Sequence, residues 1–425
     1  MTHFGLVCVP TISHLNTMLS LGQELQRRGH RVTLFGIPDA KPSTLAMGLG
    51  FQTIGESEFP SGAVAQFMAQ QGKLAGISVW RHLIRWSQNL TAIFLKEAPQ
   101  VLKQAGVEAL LVDAGSVEGG TVAEFLNIPF ATINNAVMCN QEAGVPPHGT
   151  PWSYSPTRLA RLRNQVGYAF FDLIDRPTWK IIFEYRRKWK LPIYSSYNDY
   201  YSPLAQLSQM PAEFEFPRTA LPQWFHFTGL YHSSVSREFV SFPYEKLTGQ
   251  PLIYASLGTL LNRQMGIFHQ IASACEGLDA QLVISLGRAT SLESFPELPG
   301  SPLVVGYAPQ LELLQKTTLM ITHAGLNTTL ECLNNGVPMV VVPIAYDQPG
   351  IAARLAWTGA GEVVPLARLS ISRLRSAIER VLTENSYKNS ALRLQKAMHQ
   401  LGGVSQAADI IEQMVATQKP VLAQR

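Results

Sequence analysis

Between residues 322 and 348 the chain reads THAGLNTTLECLNNGVPMVVVPIAYDQ, an order of residue types that leaves little freedom in what it can fold into. A short apolar run precedes it at 318–321 (TLMI) and a second lies inside it at 339–342 (MVVV). Both have the length and composition of buried strands, and residues 328–335 between them read as a helix. The strand-to-helix turn therefore holds His323, Gly325 and Asn327. A helix N-terminus presents unpaired N–H groups and a partial positive charge, which together make an anion site. Gly325 admits a ligand close to the backbone, Asn327 suits an N-cap, and Thr328 adds a hydroxyl. Glu331 lies one turn further along the same face, where a carboxylate can accept from both hydroxyls of a ribose while a diphosphate fills the turn. The second strand stops at Pro343 and delivers Asp347 and Gln348 to the sheet edge at which open α/β sheets bind ligands. The stretch implies a nucleotide-sugar site.

The remainder repeats the same alternation. Apolar runs at 4–9, 32–37, 51–54, 109–112 and 130–133 read as strands, and 15–28, 79–98 and 119–126 as helices, with Pro99 expected to break the second of these. Residues 233–250 lose all periodicity. The pattern then restarts with strands at 252–255, 281–286 and 303–305 and closes on helices at 372–382, 390–401 and 404–416. Strands alternating with helices of this length imply an α/β chain with parallel, doubly wound sheets, and 425 residues suit two domains better than one.

Composition narrows the class. No Lys/Arg block accompanies the net charge of +4, so nucleic acid is not an expected partner. No apolar run approaches the ~20 residues of a membrane-spanning helix, and the first residues lack the basic start and long apolar core of a signal peptide. Cys8, Cys139, Cys275 and Cys332 are widely separated, as expected for reduced thiols packed in a cytoplasmic protein. Residues 146–156 read as a loop. Residues 158–190 then carry nine Lys/Arg against three acids, interleaved with aromatics. Such a stretch lies on a membrane surface in some proteins. The plainer reading is one or two amphipathic helices, interrupted at Pro177, that cover the domain surface or an acceptor pocket.

Tyr307-Ala308-Pro309-Gln310, followed by His323, Gly325, Asn327, Thr328, Glu331, Gly336-Val337-Pro338 and Asp347-Gln348, resembles in order and spacing the donor-binding signature of the UDP-dependent glycosyltransferases of the GT-B fold. The segments 4–14, 201–216 (YSPLAQLSQMPAEFEF) and 254–259 (YASLGT) look most like the bacterial zeaxanthin glucosyltransferases. The resemblance implies two Rossmann-like domains facing across a cleft. These would be an acceptor-binding domain over 1–232, a linker over 233–250, a UDP-sugar-binding domain over 251–402, and a helical end, 403–425, able to pack back on the first domain.

It also implies roles. His323, Asn327 and Thr328 would contact the diphosphate, helped by Ser256 and Thr259 from the facing loop. Glu331 would hold the ribose, and Asp347 and Gln348 the sugar hydroxyls, Gln348 fitting glucose. Tyr307 stands where plant members stack Trp on uracil, with Ala308 and Gln310 beside it. Leu326 replaces another frequent Trp. An alcohol also needs a base to take its proton as the new bond forms. His14, in the loop after the first strand, and Asp113, at the end of a neighbouring strand, match the family's catalytic His and its partner. Asp113 would fix the imidazole tautomer, and the implied reaction is a single displacement with inversion. No DxD motif and no His spacing suggests a metal, and UDP-glucose is implied as donor substrate rather than as a cofactor.

Four functions remain to be separated at this level. They are a glucosyltransferase for a hydroxycarotenoid such as zeaxanthin; the same chemistry on a flavonoid, sterol or macrolide; a UDP-sugar epimerase, against which an alcohol-directed His14–Asp113 pair argues; and a non-catalytic nucleotide-sugar-binding protein. Phe67, Val79, Trp80, Leu83, Trp86 and Phe94 are candidates to line a lipophilic acceptor pocket. A long acceptor would leave one end in lipid, which makes peripheral membrane contact an expectation.

Overall fold

In the computed structural model, the residues described are 1–74, 77–231, 240–258, 265–287 and 295–423. Thr259, residue 232 and residues 233–239 of the expected linker lie outside them. Two parallel sheets organise the chain. The first has seven strands: β1 (His3–Val7), β2 (Arg31–Gly36), β3 (Gly50–Thr53), β4 (Ala109–Asp113), β5 (Phe130–Asn134), β6 (Gln206–Ser208) and β7 (Phe225–Phe227). Their order is β3-β2-β1-β4-β5-β6-β7. The second has six: β8 (Leu252–Ser256), β9 (Gln281–Ser285), β10 (Leu303–Val305), β11 (Thr317–Thr322), β12 (Met339–Val341) and β13 (Gly361–Val363), ordered β10-β9-β8-β11-β12-β13. In each sheet the order reverses beside the first strand of its half, between β1 and β4 and between β8 and β11. Those two switch points are where a doubly wound sheet opens a crevice. They carry His14 with Asp113, and Ser256 with His323.

Neither helix-internal proline does what its local chemistry suggests. A proline removes one i→i−4 hydrogen bond and crowds the preceding turn, at a cost of about 3 kcal/mol. Even so, one helix runs unbroken over Ile77–Ala105 through Pro99, and another over Arg158–Lys188 through Pro177. Burial on both sides of each proline offsets the loss. Phe94, Leu95, Ala98 and Leu102 pack with Trp179 and Ile182 in one cluster beneath the first sheet, so the two long helices support each other.

The cleft has a shared floor. Val137, Met138, Met210 and Phe214 from the first half belong to the same core cluster as Leu330, Val341, Ile351 and Leu355 from the second. The last helix, Gly403–Thr417, crosses back to the first domain. Its Ala407, Ile411 and Met414 pack with Leu15, Leu19 and Leu25, and Arg28 Nη1 donates to Glu412 at 2.7 Å.

Candidate active site

The β11 strand ends at Thr322, and the helix after it spans Leu326–Asn334 with Gly325 as its N-cap residue. Asn327, expected as the cap, lies instead inside the first turn. Its side chain crosses the cleft: Nδ2 donates to the Ser13 carbonyl at 3.0 Å and Oδ1 accepts from Gln209 Nε2 at 2.8 Å. No side chain caps this helix, so its first N–H groups keep the anion-binding character that orphan donors confer. The His323 ring lies between two glycines. A Cβ at Gly258 would stand 2.6 Å from it and one at Gly325 2.8 Å, and Gly258 also adopts φ +75°. A side chain at either place would displace the ring. Burial pushes the His323 pKa down to about 4, so near neutrality the ring is uncharged and acts as a hydrogen-bonding group.

Glu331, buried on the same helix, accepts from Gln310 Nε2 at 2.5 Å. Gln310 in turn lies 3.4 Å from Thr328 Oγ1, so three of the expected donor-site residues form one network. Ser256, at the end of β8, lies 3.4 Å from the Gly258 N–H. Ala308 is buried, whereas Tyr307 is exposed at the rim, where its ring can cover a flat ligand. Gln348 accepts through Oε1 from the Ile344 and Ala345 N–H groups, both at 2.8 Å, so its carboxamide oxygen shapes the loop. Asp347 caps the Gln348–Thr358 helix by position and accepts from the Val137 N–H across the cleft at 3.5 Å. Ala324 and Tyr346, immediately before Gly325 and Asp347, adopt left-handed backbone at φ 68° and 59°. That conformation costs non-glycine residues about 1–2 kcal/mol, and here it falls on both loops that present the donor-site groups.

At the other switch point His14 lies not in the loop after β1 but in the first turn of a helix over Ile12–Arg27, with its Nδ1 2.6 Å from Asp113 Oδ2. Asp113 is 1% exposed and also accepts from the Gly115 N–H at 3.0 Å and the Val9 N–H at 3.2 Å. Burial opposes its ionisation, but His14 and these N–H donors outweigh burial and hold its pKa below the usual value. An ionised Asp113 only accepts, so the His14 proton sits on Nδ1 and Nε2 carries the lone pair. For His14 burial acts downward, yet Asp113 and then Asp347 raise its pKa overall. Asp347 thus acts electrostatically on His14 across the cleft.

A cavity of about 300 Å³ adjoins this pair, sharing with it the Cys8–Val9 and Gly115–Ser116 backbone. Trp80, Leu83, Trp86 and Phe94 line it as expected. Val79 does not, and Phe67 stands behind it, stacked on His82 with centroids 4.6 Å apart.

Several residues here carry no sequence motif. Glu118 lines the cavity, buried beside Thr91 Oγ1 at 3.0 Å, and burial raises its pKa to about 7. Asn135, at the end of β5, is buried with both carboxamide atoms unpartnered. Glu215 forms a two-pronged ion pair with Arg354 across the cleft, at 2.7 and 2.9 Å. Only Arg354 leaves a trace in the sequence, as one charge within an otherwise apolar helix, GIAARLAW.

A family model described as UDP-glucoronosyl and UDP-glucosyl transferase matches residues 6–402. The zeaxanthin glucosyltransferase of Pantoea ananas is 34% identical over 427 residues, covering 100% of this chain and 98% of that protein. That of Pseudescherichia vulneris is 31% identical over 428 residues, covering 99% and 100%. Among solved structures, the glycotransferase of kitacinnamycin aligns with a TM-score of 0.75 at 22% identity over 99% of both chains. The calicheamicin glycosyltransferase aligns with a TM-score of 0.75 at 20% identity, covering 99% of this chain and 100% of that one. At such identities the structural likeness speaks to the fold, two doubly wound domains in the GT-B arrangement.

Proposed function

This chain belongs to the UDP-glucoronosyl and UDP-glucosyl transferase family, and from that premise we propose that it transfers glucose from UDP-glucose, with inversion, to a hydroxyl of a lipophilic acceptor, a hydroxycarotenoid of the zeaxanthin type. The observation that carries the reading is the His14–Asp113 pair, set between an apolar cavity and the donor-side loops. The diphosphate takes the free N–H groups at the start of the Leu326–Asn334 helix, with His323 as a neutral partner. The ribose diol takes Glu331, displacing or sharing its bond from Gln310. Tyr307 covers the uracil, and Asp347 with the Gln348 NH₂ holds the sugar hydroxyls. His14 Nε2 removes the acceptor's proton as its oxygen forms the bond to the anomeric carbon. The bond from that carbon to UDP breaks on the opposite face, UDP leaves with the electron pair, and a β-glycoside results. Asp113 stabilises the imidazolium that forms.

Mass spectrometry of products from UDP-glucose with zeaxanthin, a flavonoid and a sterol in parallel tests the acceptor. A hexose adduct on zeaxanthin is expected; adducts on the others alone would reassign the acceptor, and none at all would reject the hydroxycarotenoid as acceptor.

The pairing also sets a pH dependence. The working imidazole is neutral, and Asp113 raises its pKa above the ordinary 6.5 despite burial. Activity should therefore rise with pH through a midpoint above that value. Asp113→Asn removes the raising charge and leaves burial, so the acid limb of kcat/KM should move to lower pH while kcat falls. An unmoved limb would dissociate the pair.

A further inference from the structure

The Arg158–Lys188 helix is packed on one side only. In its first half Asn164, Gly167 and Tyr168 are buried, with the Tyr168 hydroxyl donating to the Val145 carbonyl at 3.1 Å. On the opposite side Leu159, Leu162, Val166, Phe170 and Leu173 are 58–80% exposed. At 3.6 residues per turn these five fall within an arc of about 80° and form a line roughly 21 Å long. Single exposed leucines need no explanation, but a continuous apolar stripe marks an interaction surface.

Charge identifies what the stripe fits. Arg158 and Arg176 stand about 40° outside the arc and Lys180 continues its line. All three are exposed, and none makes an ion pair among the described residues. Glu184, one turn further on, is the acid on that side. Arg186, by contrast, is buried and paired with the half-buried Glu124 at 2.7 Å. An apolar stripe edged by basic side chains matches an anionic lipid surface, where tails take the stripe and headgroups the cations. A second copy of the chain would bring the same cations face to face, which disfavours self-association. Position agrees as well. Leu173 is followed by Ile174 and Thr178, which line the apolar cavity together with Trp80, and Trp80 is itself 44% exposed.

We propose that the 159–173 face docks on an anionic membrane surface and sets the mouth of the cavity against the lipid. No helix among the described residues is long and apolar enough to cross a membrane, so the contact is peripheral. Docking is independent of the acceptor; only the delivery of acceptor from lipid to cavity rests on the function proposed above.

The test is co-sedimentation of the full chain with vesicles of phosphatidylcholine alone or mixed with phosphatidylglycerol. Binding to the anionic vesicles is expected, weakened in about 1 M salt, where the Debye length is ~3 Å. The double variant Leu162→Glu/Phe170→Glu, altered only at exposed positions, should bind at least tenfold more weakly and keep the thermal unfolding midpoint of the parent. Arg158→Gln/Arg176→Gln/Lys180→Gln should lose the preference for anionic lipid. Three results would overturn the proposal: no sedimentation of the unaltered protein with anionic vesicles, equal binding by the double variant, or a dimer in light scattering that the double variant dissolves. If no acceptor is glycosylated yet lipid binding follows these expectations, the function fails and the docking surface stands.

Discussion

Replacing His14 by Ala is expected to lower transfer by ~10²–10⁴-fold, or about 3–5 kcal/mol of barrier, while leaving UDP binding within about twofold by titration calorimetry. The separation is expected because the two functions sit on different sheets. UDP is assigned to groups of the second sheet, on the Leu326–Asn334 helix and in the loops after β8 and β10, and none of them takes its position from the His14 ring. The variant should also fold. Asp113 loses its imidazole but keeps the Val9 and Gly115 N–H groups, so its carboxylate is not left bare. Asn327 reaches across to the Ser13 carbonyl rather than to His14, so that bridge survives too. Unchanged turnover would remove the general base from the mechanism; equal losses of turnover and UDP affinity would mean that His14 positions the donor.

What could be read in advance divides along physical lines. Long elements with clear periodicity, such as β1, β4, β8 and β11, are visible because their residues are buried on both faces and run continuously apolar. The three-residue strands β6, β7 and β13 are not. β10 and β12 are equally short, but LVV and MVV are wholly apolar runs, whereas QLS, FHF and GEV each carry polar or glycine residues that break the run. Those three owe their existence to a neighbouring strand already in place. The unbroken helices through Pro99 and Pro177 show the same limit. A local cost of about 3 kcal/mol is real, but the compensating burial comes from a helix some 80 residues away in the chain.

The candidate site divides in the same manner. Most of its donor half is compressed into one local stretch, so backbone direction, the presence of the helix and the place of Glu331 on it follow from spacing. The helix start does not, since it falls at Leu326 rather than at 328. Asn327 shows where locality fails. Its residue type suits a cap, yet its side chain is held across the cleft by Gln209, 118 residues distant in sequence. Glu118 and Asn135 belong to the cavity and the cleft, assembled from separate segments, and nothing in their neighbours' spacing marks them. For the same reason the basic and aromatic stretch 158–190 reads ambiguously in sequence. Only the packed side of the helix shows which residues are left for solvent or lipid.

Glu215→Ala is expected to cost about 3–5 kcal/mol of stability, because it removes one partner from a buried ion pair and leaves the other charged. Glu215 and Arg354 are each about 1% exposed, and Arg218 Nε lies 3.4 Å from the same carboxylate. Without Glu215, two guanidinium groups would face each other in the core between the sheets. The remaining bonds of Arg354 Nη1 to the Gly350 carbonyl and of Arg218 Nη1 to the Asn140 carbonyl, at 3.0 and 2.7 Å, satisfy donors but do not neutralise charge. The triple variant Glu215→Leu/Arg218→Met/Arg354→Met should recover much of the loss, since apolar groups of similar volume often match a buried ion cluster. Arg218 must be included because it is buried against the same carboxylate. Denaturant midpoints measure both. Burial raises the Glu215 pKa, but the two arginines outweigh it and lower the pKa overall. Its contribution is therefore fully present above the ordinary carboxylate pKa of 4.5 and is lost as pH falls through the depressed one, so the Ala variant should lose less stability on acidification than the parent. Arg354 lies on the helix that begins at Gln348, so the same pair fixes the angle at which Asp347 and Gln348 meet the first domain. A loss below about 1 kcal/mol would mean that the shared apolar floor alone sets this interface, and the donor loop would then be held by packing rather than by charge.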